Sequence, residues 1–340
     1  MIDIKTVLLT GISGFIAKQI ALDLLRSGYF VVGSLRSKHR ETEVRRSLKE
    51  KLPESIDLDA KLRFVELDLT NDQGWVEVMS GIDAVIHTAS PFPIAQPKDE
   101  SILIRPAVEG TLRALRAAQE SGVARVILTS SVAAIICKDK VDGFLTESDW
   151  TVVEHPTANA YDKSKTLAEK SAWDFVANHP EMQLTTINPG LVLGTPVDGV
   201  YGSSLSVIER FLRGKDPFVP NMGVPIVDIS DVSEMHVKAL ERPETYSQRY
   251  IAADRFVMLP EVARILAEAY PNRKIPTKIA PKFLLRLVSL FDSEVRAVLP
   301  RLNIEMRISA AKASRDLGIH FTPAKDSILS SAAFIAMIKK

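Results

Sequence analysis

Several residue types that mark special classes of protein are scarce in this sequence. Among 340 residues there is one cysteine, Cys137, so an internal disulfide is excluded and the chain fits a reducing compartment. The six histidines lack the spacing of metal ligands, so we expect no metal site. The 43 Lys and Arg residues balance 42 Asp and Glu residues, which leaves a formal net charge of +1. This charge gives no general attraction to nucleic acid or anionic lipid, so neither is expected as a partner.

Long hydrophobic runs are also absent. The longest largely apolar stretch, Val123–Cys137, is interrupted by Arg125 and Thr129 and is shorter than the roughly 20 residues that a membrane helix needs. Residues Met1–Lys5 include acidic Asp3 and lead straight into an apolar strand pattern, unlike a signal peptide. We therefore expect a cytoplasmic protein. With 46% hydrophobic and 25% charged residues, its composition is that of an ordinary globular protein.

Short apolar runs and helical patterns alternate through the first half of the chain. Runs suited to strands lie at Thr6–Thr10, Phe30–Leu35, Phe64–Leu67, Ala84–His87, Val126–Thr129 and Leu184–Ile187. The clearest helical periods lie at Gly14–Ser27, Thr111–Glu120 and Ser164–Ala177. Strands buried on both faces and separated by helices predict the α/β class, with a doubly wound, mostly parallel sheet of the Rossmann type.

A glycine-rich turn, Thr10–Ala17, lies between the first predicted strand and the first predicted helix. Gly11 permits a tight turn, and Gly14 lets backbone N–H groups approach a pyrophosphate at the positive end of the helix. Small Ala17 allows close packing of helix and strand. The turn therefore predicts a dinucleotide site, and its expected contacts are Gly11, Ser13, Gly14, Phe15 and Ile16.

The end of the second predicted strand indicates which dinucleotide binds. An NAD site places an acidic residue there to accept hydrogen bonds from the adenosine ribose. Here Arg36 follows Leu35. A guanidinium offers a planar fork of donors to a 2′-phosphate, whereas a carboxylate would repel it, so we expect NADP rather than NAD. Lys38 is expected to assist.

The composition of the chain changes after residue 189. Glycine and proline residues punctuate residues 189–225, which predicts loops that face a substrate. We expect an NADP-binding Rossmann domain with the catalytic residues at 1–189, interleaved with a smaller mixed substrate lobe at 190–340. The apolar helix Phe283–Leu290 packs either internally or against another subunit, so both a monomer and a homodimer remain open.

Tyr161 and Lys165 lie at the start of a helical pattern. Being four residues apart, they project from the same face of a helix. A free tyrosine, with a pKa near 10, is a poor acid–base catalyst at neutral pH. A neighbouring ammonium favours the phenolate, so we expect Lys165 to lower the pKa of Tyr161 and the pair to act in acid–base catalysis.

Two strands of the predicted sheet are followed by small polar residues. Ser130 and Ser131 come directly after Val126–Thr129, at the edge where open α/β sheets bind ligands. A hydroxyl there binds a carbonyl oxygen, and adjacent serines point in different directions, so at most one of the two faces a substrate. His87 is expected in the core rather than as a base. The residues after it are expected to line the cofactor with their backbone: Thr88, Ala89 and Ser90.

Together these motifs resemble the extended short-chain dehydrogenase/reductase superfamily. Within it, the sequence is similar to the group of dihydroflavonol reductases, cinnamoyl-CoA reductases and microbial aldehyde and ketone reductases. The resemblance covers most of the chain. Its anchors are the Gly11, Gly14 and Ala17 turn, Arg36, Asp68-Leu69, His87–Pro91, Thr129-Ser130-Ser131, Tyr161 with Lys165, Ser164–Phe175 and Asn188-Pro189-Gly190.

The resemblance implies an NADPH-dependent oxidoreductase that reduces an aldehyde or ketone to an alcohol. It implies that Ser131 polarises the substrate carbonyl, that Tyr161 donates the proton, and that Lys165 binds the nicotinamide ribose and lowers the pKa of Tyr161. Hydride would come from NADPH. Further cofactor contacts are implied for Asp68 and Leu69 at the adenine, Ala89 along the cofactor and Pro189 at the nicotinamide.

Two departures from the family pattern bear on the substrate. Cinnamoyl-CoA reductases carry an aromatic-rich NWYCYGK segment where this chain has Asn159–Lys165, reading NAYDKSK, which disfavours a CoA thioester. Dihydroflavonol reductases use an asparagine to bind the flavonoid at the position of Ile136, which cannot make that hydrogen bond. We therefore expect an aldehyde or ketone as the substrate, in a mixed pocket formed by the Val132–Ile136 strand end, Phe92 and the Val197–Val224 loops.

Two other functions compete with carbonyl reduction. A sugar-nucleotide epimerase or dehydratase uses the same catalytic residues with a retained NAD, but Arg36 opposes NAD. Such an enzyme also needs a basic cluster for a diphosphate, and the 190–225 region offers only Arg210, Arg213 and Lys215. A non-catalytic NADP sensor is the third hypothesis, and the intact Tyr161 and Lys165 pair argues against it because a sensor needs no proton donor.

Overall fold

The structure, a computed structural model, describes residues 4–90, 99–139, 143–291, 295 and 299–339. The strands of these residues form two sheets. Their bounds are β1 Thr6–Thr10, β2 Phe30–Leu35, β3 Leu62–Glu66, β4 Ala84–His87, β5 Arg125–Thr129, β6 Gln183–Pro189, β7 Leu191–Leu193, β8 Gly223–Asp228, β9 Gln248–Ala252 and β10 Arg255–Met258.

Seven strands form a parallel sheet in the order β3-β2-β1-β4-β5-β6-β9. The side chains of Val7, Leu8 and Leu9 in β1 are fully buried. Val7 and Leu9 join the hydrophobic core on one face of the sheet, and Leu8 joins the core on the other. A central strand covered on both faces needs a continuous apolar run, which is the pattern seen in the sequence. The predicted doubly wound sheet is confirmed.

Helices and short 3₁₀ turns connect the strands. The α-helices are α1 Phe15–Arg26, α2 Glu41–Lys49, α3 Leu58–Lys61, α4 Trp75–Val78, α5 Ser101–Glu120, α6 Ala160–Ala177, α7 Ser203–Arg213, α8 Ile229–Glu241, α9 Leu259–Ala269, α10 Lys282–Val288, α11 Ala311–Leu317 and α12 Ala324–Ile338. The 3₁₀ turns are Lys38–Arg40, Val132–Ala134, Pro243–Thr245 and Leu299–Arg301. α1 packs beside α8, and α5 packs beside α6. These pairs contribute to the cores on opposite faces of the large sheet.

The starts of α5 and β3 are two of the boundaries that differ from the sequence prediction. α5 begins at Ser101 rather than at Thr111, because Pro106 and charged neighbours interrupt the apolar period of its first turns. β3 begins at Leu62 rather than at Phe64, because Leu62 pairs with Val31 of β2 before the apolar run starts. In both cases contacts with the rest of the fold extend an element beyond its local pattern.

The smaller sheet is mixed, with β10 antiparallel and β7 parallel to the central β8. The Gly- and Pro-rich region predicted as loops contains α7 between Gly202 and Gly214. The predicted loop character fails there because the eleven residues of this helix carry apolar side chains at helical spacing, and Leu205 and Ile208 are buried against the smaller sheet. The later strand β9 returns to the large sheet beside β6.

The smaller sheet contacts the start of the chain through α1. The buried ammonium of Lys18 on α1 forms an ion pair with Asp198, and the same carboxylate accepts a hydrogen bond of 2.7 Å from Ser47 on α2. Further along the same loop, a Cβ at Gly202 would lie 3.6 Å from the Phe15 side chain. The loop between β7 and α7 therefore lies against the glycine-rich turn.

The apolar helix near residue 283 faces outward. None of the residues of α10 is buried, and Phe283 and Leu287 are exposed together with Phe291 just beyond the helix. Packing of this helix into the core is therefore not observed. Among the residues that the structure describes, no helix is long and apolar enough to cross a membrane.

The junction of the two sheets yields a prediction about Gly190. A Cβ at this position would overlap the carbonyl oxygen of Pro225 in β8, and strand pairing holds that backbone in place. We expect Gly190→Ala to lower the free energy of unfolding by about 1–3 kcal/mol. Urea unfolding followed by tryptophan fluorescence measures the change.

Gly199→Ala is the matched control, because a Cβ there has no neighbour within 4 Å. We expect this variant to stay within about 0.5 kcal/mol of the parent. Equal unfolding midpoints for both variants would show that the two sheets are not in close contact at Gly190.

Candidate active site

The glycine-rich turn joins β1 to α1 at the point where the strand order reverses, between β1 and β4. Gly11 has a φ of +69°, and its N–H donates to Ser34 Oγ at 3.1 Å. A Cβ at Gly11 would lie 3.1 Å from Ala89, so a side chain there would push against the neighbouring loop. The N–H of Ile12 donates to the Ser34 carbonyl at 3.1 Å, and that of Gly14 donates to the Gly11 carbonyl at 2.8 Å. The turn is therefore closed by its own backbone.

The start of α1 has the features of an anion site. Its N-cap is Gly14, which is exposed and has no side chain to cap the free N–H groups. The next residues of the helix, Phe15 and Ile16, are partly exposed, as is Ser13 before it. Backbone N–H groups at a helix start favour a phosphate. The residues present thus fit the pyrophosphate of a dinucleotide, which only a glycine at this cap leaves room to approach.

The hydroxyl of Thr10 fixes the loop after β4 against this turn. Thr10 Oγ1 accepts hydrogen bonds of 3.1 Å from both the Thr88 and the Ala89 N–H, and Thr88 Oγ1 donates to the Thr10 carbonyl at 2.5 Å. Because its oxygen already accepts twice, the Thr10 proton is left for His87 Nδ1 at 3.0 Å. Ser90 follows and is partly exposed. The backbone of residues 88–90 therefore lines the crevice beside Gly11.

His87 lies in the core at the end of β4. Burial, and next the charge of Lys165, lower its pKa to about 3. The imidazole is therefore neutral at physiological pH. This agrees with the expectation of a core residue rather than a base.

Arg36 lies at the end of β2 and is largely exposed, with 87% of its side chain accessible. Its Nε is 3.5 Å from Asp68 Oδ2. Asp68 also accepts hydrogen bonds from the N–H and hydroxyl of Thr70, at 2.8 and 2.7 Å, and these bonds lower the pKa of its carboxyl. Lys38 is exposed, and its N–H donates to Glu66 Oε2 at 3.4 Å. Beside this group, Leu69 packs against α5 where a Cβ at Gly110 would lie 3.0 Å away.

Tyr161 is the second residue of α6, and the sequence fixes where this helix begins. Asn159 caps it by accepting from the N–H groups of Tyr161 and Asp162 at 2.9 and 3.1 Å, and Asp162 in turn accepts from the Asn159 N–H at 2.9 Å. This reciprocal capping box sets the first turn of the helix. Lys165 lies one turn further on and is buried.

The two serines after β5 have different partners. Ser130 donates to Glu169 Oε2 at 2.5 Å, inside the protein. The hydroxyl of Ser131 is hydrogen-bonded to Tyr161 and accepts from the Ala133 N–H at 3.1 Å. It also lies 3.5 Å from the carbonyl of Pro189, the last residue of β6. Of the two serines, Ser131 is therefore the one beside Tyr161.

Burial determines the protonation states of Tyr161 and Lys165. It raises the pKa of Tyr161 to about 12, the bond from Ser131 partly opposes this rise, and the charge of Asp162 adds to it. The expected lowering by Lys165 is not found, because loss of water around the phenol has a larger effect than any positive charge nearby. Burial also lowers the pKa of Lys165 to about 8, against the opposing effect of Glu169. At neutral pH the pair is a neutral phenol and an ammonium, which is the state of a proton donor.

A family model for the NAD dependent epimerase/dehydratase family matches residues 7–252, which include all these residues. The chain belongs to this family. Cinnamoyl-CoA reductase 2 of Arabidopsis thaliana is 31% identical over 335 residues, covering 97% of this chain and 92% of that protein. An anthocyanidin reductase of Vitis vinifera, (2S)-flavan-3-ol-forming, is 32% identical over 290 residues, covering 80% of this chain and 83% of that protein.

The similarity of this chain to known proteins extends over the whole fold, as comparison with a solved structure shows. Yeast methylglyoxal/isovaleraldehyde reductase Gre2, complexed with NADPH, matches with a TM-score of 0.80 at 26% identity. The match covers 98% of this chain and 99% of that chain. The predicted resemblance to the reductase group of the extended short-chain superfamily is confirmed.

Several residues beside the predicted site residues were not themselves predicted from the sequence. Glu169, Asn188 and Arg249 form a buried polar network beneath Ser130 and Ser131. The sequence offered one signal, since Glu169 and Asn188 belong to anchors of the resemblance, but their contact joins distant parts of the chain. The predicted pocket segment Val132–Ile136 begins as a 3₁₀ turn rather than continuing the strand.

Arg301 is a further unpredicted neighbour. It comes from the last part of the chain, pairs with the buried carboxylate of Asp162, and donates to the Thr157 carbonyl at 3.2 Å. Cys137 lies beside this pair, and burial, with the charge of Asp162, raises the pKa of its thiol to about 11. The cysteine is therefore an unreactive spacer.

The predicted residues divide into two groups. Ser131, Tyr161, Lys165 and Pro189 meet at the ends of β5 and β6, whereas Arg36, Lys38, Asp68 and Leu69 lie at the ends of β2 and β3, with the glycine-rich turn between them. Phe92 and Pro91 lie outside the described residues. Among residues 4–90, 99–139 and the later described parts, no group of three metal-ligating side chains comes together.

The buried histidines yield a prediction about acid stability. His236 donates from Nδ1 to the Val232 carbonyl at 2.7 Å and accepts from Thr129 at Nε2, at 2.7 Å. Burial lowers its pKa to about 4, below the value near 6.5 of an unfolded histidine. As pH falls through this window the unfolded chain binds a proton that the folded chain refuses, so this contribution to stability is lost.

We expect a plot of unfolding free energy against pH between 6 and 4.5 to be shallower for His236→Asn than for the parent, by about 1.4 kcal/mol per pH unit. Urea unfolding at each pH measures it. The raised pKa of Asp231, about 6, has the opposite sign, but it is common to both proteins and cancels in the difference. Parallel plots would mean that His236 takes up its proton without unfolding.

Proposed function

We propose that this protein reduces an aldehyde or ketone to an alcohol with NADPH. The observation that carries this proposal is the hydrogen bond between Ser131 and a protonated Tyr161, with the Lys165 ammonium one helical turn away. Two hydroxyl donors at one point are the arrangement needed to bind a carbonyl oxygen and to protonate it as negative charge develops.

NADPH is the cofactor that the residues fit. The uncapped start of α1 would take the pyrophosphate, and the exposed Arg36 would take the 2′-phosphate. NAD fits less well, because it offers no phosphate to this guanidinium. The further residues proposed to hold the cofactor are Gly11, Ser13, Gly14, Phe15, Ile16, Lys38, Asp68, Leu69, Thr88, Ala89, Ser90, Tyr161, Lys165 and Pro189. When bound, NADPH supplies the hydride that adds to the carbonyl carbon.

The protein residues then act on the carbonyl oxygen. Ser131 donates a hydrogen bond that polarises the carbonyl, and Tyr161 transfers its phenolic proton to the oxygen as negative charge forms there. Lys165, one turn further along α6, would hold the nicotinamide ribose beside Tyr161. A phenol with a pKa of about 12 keeps its proton at neutral pH, which is the form that a proton donor needs.

The substrate is proposed to be a small-molecule aldehyde or ketone of mainly apolar character. Val132 and Ile135 beyond Ser131 pack with Leu145, Ile251 and Ile308, and Ile136 lies partly exposed against them. This wall offers no side-chain hydrogen bond at Ile136, which supports the argument against a flavonoid. A CoA thioester stays disfavoured because of the Asn159–Lys165 sequence.

The alternative is a sugar-nucleotide epimerase or dehydratase with retained NAD. It needs free cations for a diphosphate, yet Arg210 pairs with Asp216 at 2.7 Å and Arg213 pairs with Glu209. These pairs argue against this function, as Arg36 does against NAD. The non-catalytic sensor stays disfavoured because the site retains a proton donor.

Three expectations from the sequence are kept as proposals. We propose a cofactor domain at residues 1–189 interleaved with a substrate lobe at 190–340, which the return of β9 to the large sheet supports. A cytoplasmic location is supported by the single, buried Cys137. A monomer or a homodimer is proposed, and in a homodimer the exposed side chains of α10 would be available for the contact.

Removing the proton donor tests the reaction. We expect Tyr161→Phe to lower kcat for NADPH-dependent reduction of small aldehydes and ketones by about 100-fold or more, because the proton transfer is lost. NADPH binding, measured by fluorescence titration, should weaken far less than kcat falls, because Tyr161 is only one of the many proposed cofactor contacts. Tyr29→Phe is the matched control. The Tyr29 hydroxyl donates to Glu241 Oε1 at 2.7 Å, and this contact is not part of the site. A Tyr161→Phe variant with full activity would rule out this proton donor, and tightly bound NAD in the purified protein would favour the epimerase.

Removing the guanidinium tests the cofactor. We expect Arg36→Ala to weaken NADPH binding by about 10- to 100-fold, the cost of losing charge-assisted hydrogen bonds to a phosphate. NADH binding should stay within about twofold of the parent. Arg46→Ala, which removes an exposed arginine on α2, controls for the change in net charge. An equal loss for NADPH and NADH would contradict a 2′-phosphate contact at Arg36.

A further inference from the structure

We propose that Glu169 is a positioning residue that holds Ser131 opposite Tyr161. The proposal rests on the proposed function, because it concerns how the two hydroxyl donors of the same site are kept together. Glu169 does not contact the site directly. It acts through Ser130 and Asn188, which flank Ser131 from two strands.

Glu169 has an unusual environment for a carboxylate. It lies on α6 two turns after Tyr161, its side chain is 0% exposed, and five groups donate to it. The donors are Ser130 Oγ at 2.5 Å and Asn188 Nδ2 at 2.7 Å to Oε2, and Arg249 Nε at 2.7 Å, Thr186 Oγ1 at 3.0 Å and Trp173 Nε1 at 3.3 Å to Oε1. A buried carboxylate persists only when paired and hydrogen-bonded in this way.

Two of these bonds lead to Ser131. Ser130 precedes it in the chain, and Asn188 Nδ2 donates both to Glu169 and to the Ser131 carbonyl, the latter at 3.1 Å. The side chain before Ser131 and the carbonyl of Ser131 itself are thereby both linked to one carboxylate. That carboxylate stands on the helix that carries Tyr161. One side chain therefore links α6 to the ends of β5 and β6.

The network needs an acceptor on both oxygens. A glutamine would present an N–H₂ group to donors already in place, so at least one of the bonds to Ser130, Asn188 or Arg249 would be lost. Arg249 is the counter-charge, and its guanidinium is held over the Trp150 ring at 3.6 Å. Four of the five donors lie on or beside strands of the large sheet and are buried. For these four side chains Glu169 supplies the hydrogen-bond acceptor that water would otherwise provide.

The charge of Glu169 also acts on Lys165, one turn earlier on the same helix. Burial lowers the Lys165 pKa to about 8, and Glu169 opposes this. The charged or titratable groups around the pair are Arg249 on β9, His87 on β4 and Tyr161 on α6, and the last two are neutral at pH 7. Loss of the carboxylate therefore favours the neutral amine.

A double-mutant cycle tests the positioning role. Ser130→Ala removes one bond to Glu169 and leaves its pair with Arg249 intact, so it should fold. We expect it to lower kcat by about tenfold, with KM for NADPH unchanged, since a small displacement of a donor costs rate rather than binding. In a Ser131→Ala background the same change should cost less than about twofold, because the hydroxyl to be positioned is gone.

A merely structural Ser130 predicts equal losses in both backgrounds, and equal losses or no loss at all would overturn the proposal. Thr111→Val is the matched control, because this buried hydroxyl donates to the Ala107 carbonyl of its own helix, at 2.9 Å. If Ser131→Ala alone retains full activity while Tyr161→Phe does not, the assigned role of Ser131 fails, and the positioning proposal fails with it. The proposed carbonyl reduction itself would then still stand.

A pH profile adds a second measurement. We expect the high-pH limb of kcat for reduction, which follows loss of the Lys165 proton near pH 8, to move down by about one unit in Glu169→Gln. Thr111→Val should leave the limb in place. An unmoved limb in a folded Glu169→Gln protein would contradict the charge effect, and the Ser130 cycle decides the proposal if that variant does not fold.

Discussion

The parallel pairing of the large sheet is the constraint on which the site depends. Strands that run in one direction end at one edge, so residues from distant parts of the chain meet there without any loop having to reach for them. The register of β1 with β4 brings Thr10 beside His87, and that of β5 with β6 brings Thr129 beside Ile187. The glycine-rich turn and Ser131 are therefore positioned by the same strand geometry.

Burial then decides which chemical state each group has. The crevice is built from groups that have lost water, so unpaired charges are costly and neutral forms are favoured. Tyr161 keeps its proton and His87 stays neutral, while the buried carboxylate of Glu169 accepts hydrogen bonds from five donors. The same rule explains Arg125 inside the sheet, whose guanidinium donates to two backbone carbonyls and two threonine hydroxyls. These cases differ in the number of hydrogen-bonding partners around each buried group, rather than in the type of residue.

Local patterns in the sequence were sufficient for the strands of the first half of the chain and for the residues named as site candidates, but not for α7. β1 and β4 have the predicted bounds because a strand buried on both faces has a continuous apolar run that ends sharply. The partners of those candidates were out of reach. Glu169 and Arg249 lie 80 positions apart, and Arg301 and Asp162 lie 139 apart, so no local period links them. The predicted direction of the Tyr161 pKa shift was wrong for a related reason. How deeply a side chain is buried depends on the complete fold, which no local pattern shows.

The return of β9 to the large sheet has a consequence for how the chain is assembled. Until residues 248–252 are available, the outer edge of β6 has no neighbour, and an open parallel edge is a site for pairing with other chains. The strand that covers this edge follows the central strand of the smaller sheet in sequence. The large sheet is therefore complete only once the chain has passed through the central strand of the smaller sheet. A fragment that ends before residue 248 would leave the edge of β6 open to pairing with other chains.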